Sequence, residues 1–573
     1  MDELFEPIPL YRDDLRERHA KAAQDLFDEL VEKSGVDPDA NAATIAGLRR
    51  LEAALANAQA RLRRWSAFRT FLLVVGWLLA IVLVGILILL LVKAKVTPKV
   101  AQCQAAVDNL QARRDEKDLE AWAQMAPLNR LFDWQMPARL VHQVAPILDI
   151  DPFFTQGRLR DLQKTFGWDE ALLGDPETRS VLFSLSGEIN GNPFVIGRAL
   201  RQDWEEKAYQ GTKTIYWTER VPDGHGGSRT VTRTQTLVAT IHKPAPAYHE
   251  GSFLLYGNDA APDLIFSRSP SPLSAEDPAS FSGKRHLKAA IRELEKFSRN
   301  LDDQYPFTMM ANHEFEALFR TPHRNNEVQY RLLFTALAQK QMLDLLRDRD
   351  VGFGDDFSFD KHLKINHLRP AHLDAFDMDA DPARFRDNDF REIRARFLQF
   401  NADYFHHLYF ALAPILSIPL YQQLRTHETI YRSSADRASA FWEHEAFANH
   451  IGADAFAPHA ARTPSILKTE ARDAPDGTRD VAVTAHAFRG EDRVDSVTVW
   501  GRDGHPPSVD VPWIDYFPVS RSRSLLLQDA DDLDAPDFEL QKNAPSSDRW
   551  RNFVRLAPAN AFFRRSVAAA LRD

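Results

Sequence analysis

Acidic residues that could bind a metal ion cluster in the second half of the chain. Asp377, Asp379 and Asp381 are spaced like the first three ligands of a calcium loop. Such a loop needs glycine at its sixth position for the turn and glutamate at its twelfth for bidentate binding. This chain has Pro382 and Asn388 at those positions. We therefore predict a solvated acidic loop rather than a calcium site.

A second group of possible ligands consists of Glu443, His444, Glu445 and His450. Glu443 and His450 would share one face of a helix, whereas His444 would project elsewhere. The pair of histidines four residues apart that zinc enzymes use is missing here. The acidic run at 529–534 is again interpreted as solvated. The sequence thus assigns no catalytic, cofactor-binding or metal-binding residue, and it predicts no cofactor.

Two adjacent histidines, His406 and His407, precede an uncharged stretch at 408–421. Neighbouring residues lie on different faces of a helix, so we expect one of the two histidines to be buried and the other exposed. The stretch at 408–421 is too short to span a bilayer as a helix, and Pro414 and Pro419 interrupt it. It predicts a buried core element, with an interfacial or re-entrant membrane contact as the alternative.

Composition and missing motifs exclude several classes of function. The 573 residues carry a formal net charge of −10, which argues against a general nucleic-acid binder. The Walker, dinucleotide-binding, nucleophile-elbow, zinc-protease and kinase motifs are absent, which argues against a common NTPase. Cys103 is the one cysteine, so an intramolecular disulfide and a multi-cysteine zinc site are excluded. An enzyme is therefore the less favoured class.

An uncharged run begins at Thr70 and ends at Val92. As one helix, its 23 residues would extend about 34 Å, enough to cross a hydrocarbon core of about 30 Å. We predict a single transmembrane helix, with a buried core helix as the alternative. The run has slightly more basic residues before it than after it, which predicts a cytoplasmic N-terminus and an extracytoplasmic C-terminal region. These residues are Arg61, Arg63, Arg64 and Arg69 before the run, and Lys93, Lys95 and Lys99 after it.

The remaining pattern predicts an α+β protein with mostly antiparallel sheets and packed helices. Leucines at alternating spacings of three and four favour a coiled-coil seam or one face of an antiparallel helix pair before the run, and Asn190-Gly191 favours a tight β-hairpin. The regions are a helical hairpin at 1–69, the transmembrane helix at 70–92, a helical stalk with short helices at 93–175, an α+β domain at 176–370, a helical region at 371–460, and a second β block with a basic helical tail at 461–573.

Three segments in the middle of the chain carry a resemblance to a known family. They are HEFEALF at 313–319, the helical segment at 326–346 and FSFDKHLKI at 357–365. Their order resembles an uncharacterised family of bacterial membrane-anchored proteins with a domain of unknown function. The resemblance implies an N-terminal membrane segment before an α+β domain, and no site residue. It suggests a small helical membrane protein of the LemA type as a partner.

These observations favour a non-enzymatic interaction or scaffold protein of the bacterial envelope. We expect it in the cell membrane as a single-pass protein, with the lipid bilayer as its partner through residues 70–92. A homo-oligomer or a helical membrane protein is a further expected partner, and nucleic acid is not. The alternatives are an unrecognised hydrolase-like envelope enzyme and a subunit of a membrane transport or pore assembly.

Overall fold

The computed structural model describes residues 4–79, 84–222, 228–299, 307–424, 438–473, 478–529, 561–564 and 567–571. The chain divides into two compact units. The first, called the α+β unit, comprises Met1–Arg16, Val141–Asp379 and Phe405–Asp573, and the second, called the helical unit, comprises Glu17–Leu140 and Ala380–Tyr404. The protein is α+β with antiparallel sheets and helices, as the sequence predicts.

The described helices are α1 (Pro7–Leu10), α2 (Arg16–Ser34), α3 (Pro38–Leu78), α4 (Val84–Leu91), α5 (Thr97–Asn129), α6 (Met136–Val144), α7 (Gln156–Phe166), α8 (Phe281–Arg299), α9 (His313–Phe319), α10 (Glu327–Leu333), α11 (Ala336–Arg347), α12 (Phe390–Leu416), α13 (Pro419–Gln423) and α14 (Phe441–Ile451). A π-helical turn, Val92–Val96, joins α4 to α5. Its widened hydrogen bond runs from the Thr97 N–H to the carbonyl oxygen of Val92.

The described strands are β1 (Leu148–Ile150), β2 (Arg179–Ile189), β3 (Asn192–Pro222), β4 (Ser228–Gly257), β5 (Ile265–Arg268), β6 (Phe357–His362), β7 (Ile365–Pro370), β8 (Ile466–Asp473), β9 (Arg479–Thr498), β10 (Ser508–Asp529), β11 (Ala561–Arg564) and β12 (Val567–Leu571). Within the described residues they form a seven-stranded sheet in the order β1-β2-β3-β4-β7-β6-β5 and a five-stranded sheet in the order β11-β12-β10-β9-β8.

The turn between β2 and β3 is the tight hairpin that the sequence predicts. Asn190 and Gly191 have φ angles of 51° and 85°, and Ile189 is paired with Asn192 across the turn. Positive φ at both central residues is the geometry that matches the right-handed twist of the two strands. Asparagine and glycine adopt it at little cost, so the prediction is confirmed.

Two long β-hairpins pack on each other in the α+β unit. Leu237 and Ala239 of β4 are buried against Val509 and Val511 of β10. The approach is close at Gly211 of β3, where an added Cβ would stand 2.1 Å from the carbonyl oxygen of Asp510. We call the part of β3 and β4 that extends past the neighbouring strands of the sheet, residues 203–222 and 228–247, the β arm. The apolar side chains of the β arm are therefore covered by a second hairpin.

The core of the helical unit is built from aromatic side chains of α2 and the start of α12. The Phe27 ring lies 5.8 Å from that of Phe390 and 5.5 Å from that of Phe397. Phe132 and Phe385 extend this cluster, with centroids 5.5 Å apart. Such rings bury a large apolar area, so they hold α2 and the start of α12 together.

The predicted transmembrane helix at 70–92, and with it the single-pass placement in the cell membrane, is wrong. Among the described residues, none of the helices combines the length and the apolar character that crossing a membrane requires. The physical reason is that the uncharged run does not form one helix. The long helix α3 ends at Leu78, and α4 begins at Val84 and packs back against α3.

Two further segments differ from expectation. The segment at 326–346, expected to be one helix, is broken at Phe334 into α10 and α11. The basic tail is not helical where it is described, because 561–564 and 567–571 form β11 and β12 beside β10. The rest of the tail, at 549–560, 565–566 and 572–573, lies outside the described residues.

Candidate functional site

The helices α3 and α5 of the helical unit run antiparallel as a long α-hairpin. Near one end, the Gln124 side-chain amide donates to the Thr44 hydroxyl over 3.0 Å. Further along, the Lys99 ammonium lies 4.8 Å from the centre of the Trp65 ring. From one contact to the next, the residue number increases along α3 and decreases along α5. The two helices are therefore antiparallel. Leu48, one of the leucines of the sequence pattern on α3, is buried with Ala121 of α5.

Asparagine side chains hold the base of the α-hairpin. The Asn41 amide donates to the carbonyl oxygen of Asn388 over 2.9 Å and accepts from the Phe390 N–H over 3.0 Å. Asn129, at the end of α5, donates to the carbonyl oxygen of Asp387 over 2.8 Å. Gly76 is 35 residues beyond Asn41 on the same helix, which corresponds to roughly 50 Å of helix.

The chain reverses at the far end of this hairpin. The Gly85 N–H donates to the carbonyl oxygen of Leu79 over 3.1 Å. A Cβ added at Gly76 would stand 3.0 Å from the Leu89 side chain and 3.4 Å from that of Ile88. The glycine at position 76 thus lets α4 approach α3 closely. The four residues 80–83 between them lie outside the described residues.

We call residues 70–79 and 84–91 the apolar tip. Large apolar side chains on both of its arms face solvent, and Trp77 and Leu87 keep 73% and 69% of their surface exposed. A monomeric soluble protein rarely leaves a contiguous apolar patch without a binding role. The exposed members are Phe71, Val74, Trp77, Leu78, Leu79, Ile86, Leu87, Leu90 and Leu91.

A basic collar follows the apolar tip on both arms. Its exposed cations are Arg61, Arg63, Arg64, Lys93, Lys95 and Lys99. The chain contains no aspartate or glutamate between Glu52 and Asp108, so no acidic residue of the hairpin offsets these charges near the tip. Trp65, on the same level, is half-buried under Lys99. Apolar side chains thus lie at the end of the hairpin where the chain reverses, and the cations and the Trp65 ring lie further from that end.

This order of side chains matches the chemistry of a lipid surface. Each arm of the tip has eight to ten residues and is therefore about 12–15 Å long, close to half of a hydrocarbon core of about 30 Å. Tryptophan and basic side chains are favoured at the headgroup level above the hydrocarbon. The tip could bury its apolar groups in one leaflet while the collar contacts anionic headgroups.

The acidic and histidine group on α14 serves packing. Glu443 accepts from the Phe154 N–H over 3.0 Å and from the Ser184 hydroxyl over 2.8 Å. Glu445 lies 2.6 Å from the Lys468 ammonium and accepts from the Val181 N–H over 2.9 Å. Burial raises the pKa of the Glu445 carboxyl, and the lysine and this N–H act in the opposite direction.

The contact that His444 makes is with Ser439 and not with either glutamate. Its Nε2 lies 3.0 Å from the Ser439 hydroxyl, and burial, followed by the charge of Arg479, lowers its pKa to about 3. A serine–histidine pair could activate a nucleophile, but both residues are buried here. No group of three or more acidic, histidine or cysteine side chains placed to hold a metal ion occurs in the described part of the chain.

The paired histidines are also used in packing. His406 places its Nε2 2.8 Å from the carbonyl oxygen of Val351, and His407 stacks on Phe376 with centroids 4.4 Å apart. Both are half-buried, so the expectation of one buried and one exposed histidine is wrong. Apart from the half-buried Pro419 and Leu420, the stretch at 408–421 is buried, which confirms the prediction of a core element.

The aspartates of the calcium-like loop act in local turns. The Asp377 carboxylate accepts from the Asp379 N–H over 3.0 Å. Asp381 accepts from the Ala383 N–H over 2.8 Å at the start of a 3₁₀ turn, Pro382–Arg384. Of the other acidic run, residues 530–534 lie outside the described residues. Cys103 is half-buried on α5.

Comparisons with protein families, with curated proteins and with solved structures gave no match to this chain. The resemblance to an uncharacterised membrane-anchored family therefore stays a prediction, and so does the partner of the LemA type. The assignment of the apolar tip as the candidate site is supported by the exposure and position of its own side chains.

Proposed function

We propose that this chain is a non-enzymatic interaction protein that attaches to an anionic lipid surface through the apolar tip of its α-hairpin. The observation that carries the proposal is the exposure of large apolar side chains on both arms of the tip, next to a collar of cations. The tip enters one leaflet from its surface and does not cross it. The α+β unit is then available for binding to other molecules.

The energetics favour attachment over exposure to water. Burying one large apolar side chain contributes roughly 1.5–3 kcal/mol, and a basic residue near an anionic surface adds about 1 kcal/mol. Several side chains of each kind are exposed together at the tip and collar. These contributions act together against the loss of motional freedom that attachment entails, which is of the order of 4–15 kcal/mol.

Vesicle flotation of the full chain tests this proposal. We expect the protein to float with vesicles of phosphatidylglycerol and phosphatidylcholine, and less with phosphatidylcholine alone. The double variant Trp77→Glu, Leu87→Glu should reduce the partition at least about a hundredfold, because two exposed apolar contacts of roughly 1.5–3 kcal/mol each are lost. Both side chains face solvent, so the fold should be unaffected.

Leu119→Glu is the matched control. Leu119 lies on α5 of the same hairpin, remote from the tip, and is 71% exposed. Its variant should float like the parent chain. Equal losses in both variants would contradict the proposal, and so would a chain that ignores both kinds of vesicle. Concentration-dependent self-association that the Trp77→Glu, Leu87→Glu variant abolishes, without any flotation, would instead identify the tip as a contact between two copies of the chain.

A further inference from the structure

A cavity of about 240 Å³ lies on one face of the seven-stranded sheet in the α+β unit. Arg179 of β2, Arg201 of β3 and His249 of β4 are register partners, so they form a row across three strands. Directly opposed residues of antiparallel strands project from the same face of the sheet. His367 of β7 is opposed to Leu255 of β4 and so shares the face of His249, six residues earlier on that strand.

The floor of the cavity is open because the position on β4 next to His249 on the same face, Gly251, has no side chain. Gly251 lies on β4 between His249 and Phe253, and an added Cβ there would meet no atom within 4 Å. Phe253 closes the inner end and stands edge-on to the His367 ring at 6.4 Å. The space above Gly251 is therefore open, bounded on one side by an aromatic ring and around it by polar groups.

Two buried side chains of the lining keep unused hydrogen-bonding atoms. Arg179 is 2% exposed, and its Nη1 has no partner in the described part of the chain. His367 is 6% exposed, and its Nε2 likewise lacks a partner among the described residues. Leaving such groups unsatisfied in a protein interior costs roughly 1–3 kcal/mol each, and more for a charged group. A ligand with acceptor oxygens would remove that cost.

The electrostatics of the cavity are positive at its buried side. Burial lowers the pKa of His367 to about 3, and the charges of Arg369, Arg201 and Arg179 act in the same direction. Glu170 forms an ion pair with the Nη2 of Arg179 at 3.8 Å, and Glu445 also acts on this guanidinium, but its Nη1 has no partner among the described residues.

The acidic side chains of the lining are Asp203 and Glu250, both exposed at the rim, where water screens their charge. The Arg201 side chain uses one N–H on the carbonyl oxygen of Leu173, at 2.8 Å. A guanidinium has five N–H donors, so capacity for a ligand remains.

We infer that this cavity binds a small organic oxyanion, whose phosphate or carboxylate oxygens accept from the guanidinium groups of Arg179 and Arg201 and from His367. Planar guanidinium groups bind both oxyanions through paired N–H donors, so the two ligand types share this chemistry. A cavity of about 240 Å³ is large enough for a small metabolite. This inference is independent of the lipid attachment, because the cavity and the tip belong to different units.

Calorimetric titration of the full chain tests the inference, with inorganic phosphate, glycerol 3-phosphate and succinate as probes and glycerol as the uncharged control. At least one anionic probe should bind and raise the thermal unfolding midpoint. Arg201→Met should weaken that binding about ten- to a hundredfold, because a charge-assisted hydrogen bond is lost. Gly251→Leu should abolish it by filling the cavity, without any change of charge.

Arg220→Met is the matched control, since Arg220 is exposed on the same strand as Arg201 but outside the cavity. It should bind as the parent chain does. Binding of glycerol 3-phosphate without succinate assigns a phosphate ligand, and the reverse assigns a carboxylate. The inference is overturned if none of the anions binds at millimolar concentration, if Arg220→Met loses as much affinity as Arg201→Met, or if Gly251→Leu binds normally.

Discussion

The protein contains two long hairpins, one of helices and one of strands, and they treat their apolar residues in opposite ways. On the β arm, Leu237 and Ala239 are covered by Val509 and Val511 of a second hairpin. On the α-hairpin, the apolar tip has no such cover among the described residues. The β arm has its complement within the chain, whereas the α-hairpin presents a surface whose complement lies elsewhere.

A charged residue placed in the apolar surface of each hairpin should show the largest difference between the two. Val511 is fully buried, so Val511→Asp places a carboxylate in an apolar contact and should cost about 4 kcal/mol or more of local stability. Leu87→Asp, on the exposed tip, should stay within about 0.5 kcal/mol. Hydrogen exchange in β4 and β10 measures the first effect, and hydrogen exchange in α3 and α4 measures the second. A comparable loss of protection around Leu87 would mean that the tip is packed.

Acid should weaken the helical unit through one buried histidine. Burial lowers the pKa of His19 on α2 from 6.5 to about 4. Below pH 6.5, His19 of the unfolded chain therefore binds a proton, whereas His19 of the folded chain stays neutral down to about pH 4. Stability contributed by neutral His19 is lost as the pH falls through this window, by up to roughly 3 kcal/mol.

Urea unfolding of the parent chain and of His19→Gln at the two ends of that window measures this loss. Glutamine does not titrate, so the variant should show a smaller difference between the two pH values. An unchanged difference would place the acid sensitivity at other groups, such as His444, whose pKa is also lowered by burial.

The close approach of the β arm to β10 can be tested at one glycine. Gly211→Ala should cost roughly 1–3 kcal/mol, because its Cβ would stand 2.1 Å from a backbone oxygen that cannot move without shifting β10. Gly251→Ala is the control, since its Cβ would meet no atom within 4 Å. Chemical unfolding of the two variants should separate them, and equal stabilities would refute the close contact.

The smallest effect is expected from a single charge of the collar. Lys93→Gln should weaken binding to anionic vesicles about fivefold, because one basic residue near such a surface contributes about 1 kcal/mol. Arg220→Gln makes the same change of charge on the β arm and should leave vesicle binding unchanged. Salt should reduce the difference between parent and Lys93→Gln. A fivefold loss in both variants would point to net charge alone.

Local signals predicted the elements that depend on local rules. Asn190 and Gly191 specify their turn through backbone conformation, and the stretch at 408–421 is buried because its apolar residues leave no polar face. The reversal after Leu79 could not be predicted in this way, because the run from Thr70 to Val92 contains none of the usual proline or asparagine turn residues. Its glycines at 76 and 85 were the available signal.

The oxyanion cavity depends on the register of strands that are distant in sequence. Arg179, Arg201 and His249 become neighbours only when β2, β3 and β4 are aligned, and a shift of one residue would move a member of the row to the other face. Sequence alternation shows that each strand has two faces, but it does not show which residues of different strands are opposed. The cavity was therefore beyond prediction from single segments.

The π-helical turn Val92–Val96 sets the rotational phase of everything that follows it on α5. A π turn holds one residue more than the α-helical turn it replaces, so it rotates the downstream helix by about 100°. Val92 and Val96 point inward while Lys93 and Lys95 point outward. Deleting Ala94 would remove the extra residue and rotate Lys95 and Lys99 relative to the tip. The direction in which these lysine side chains project therefore depends on one inserted residue.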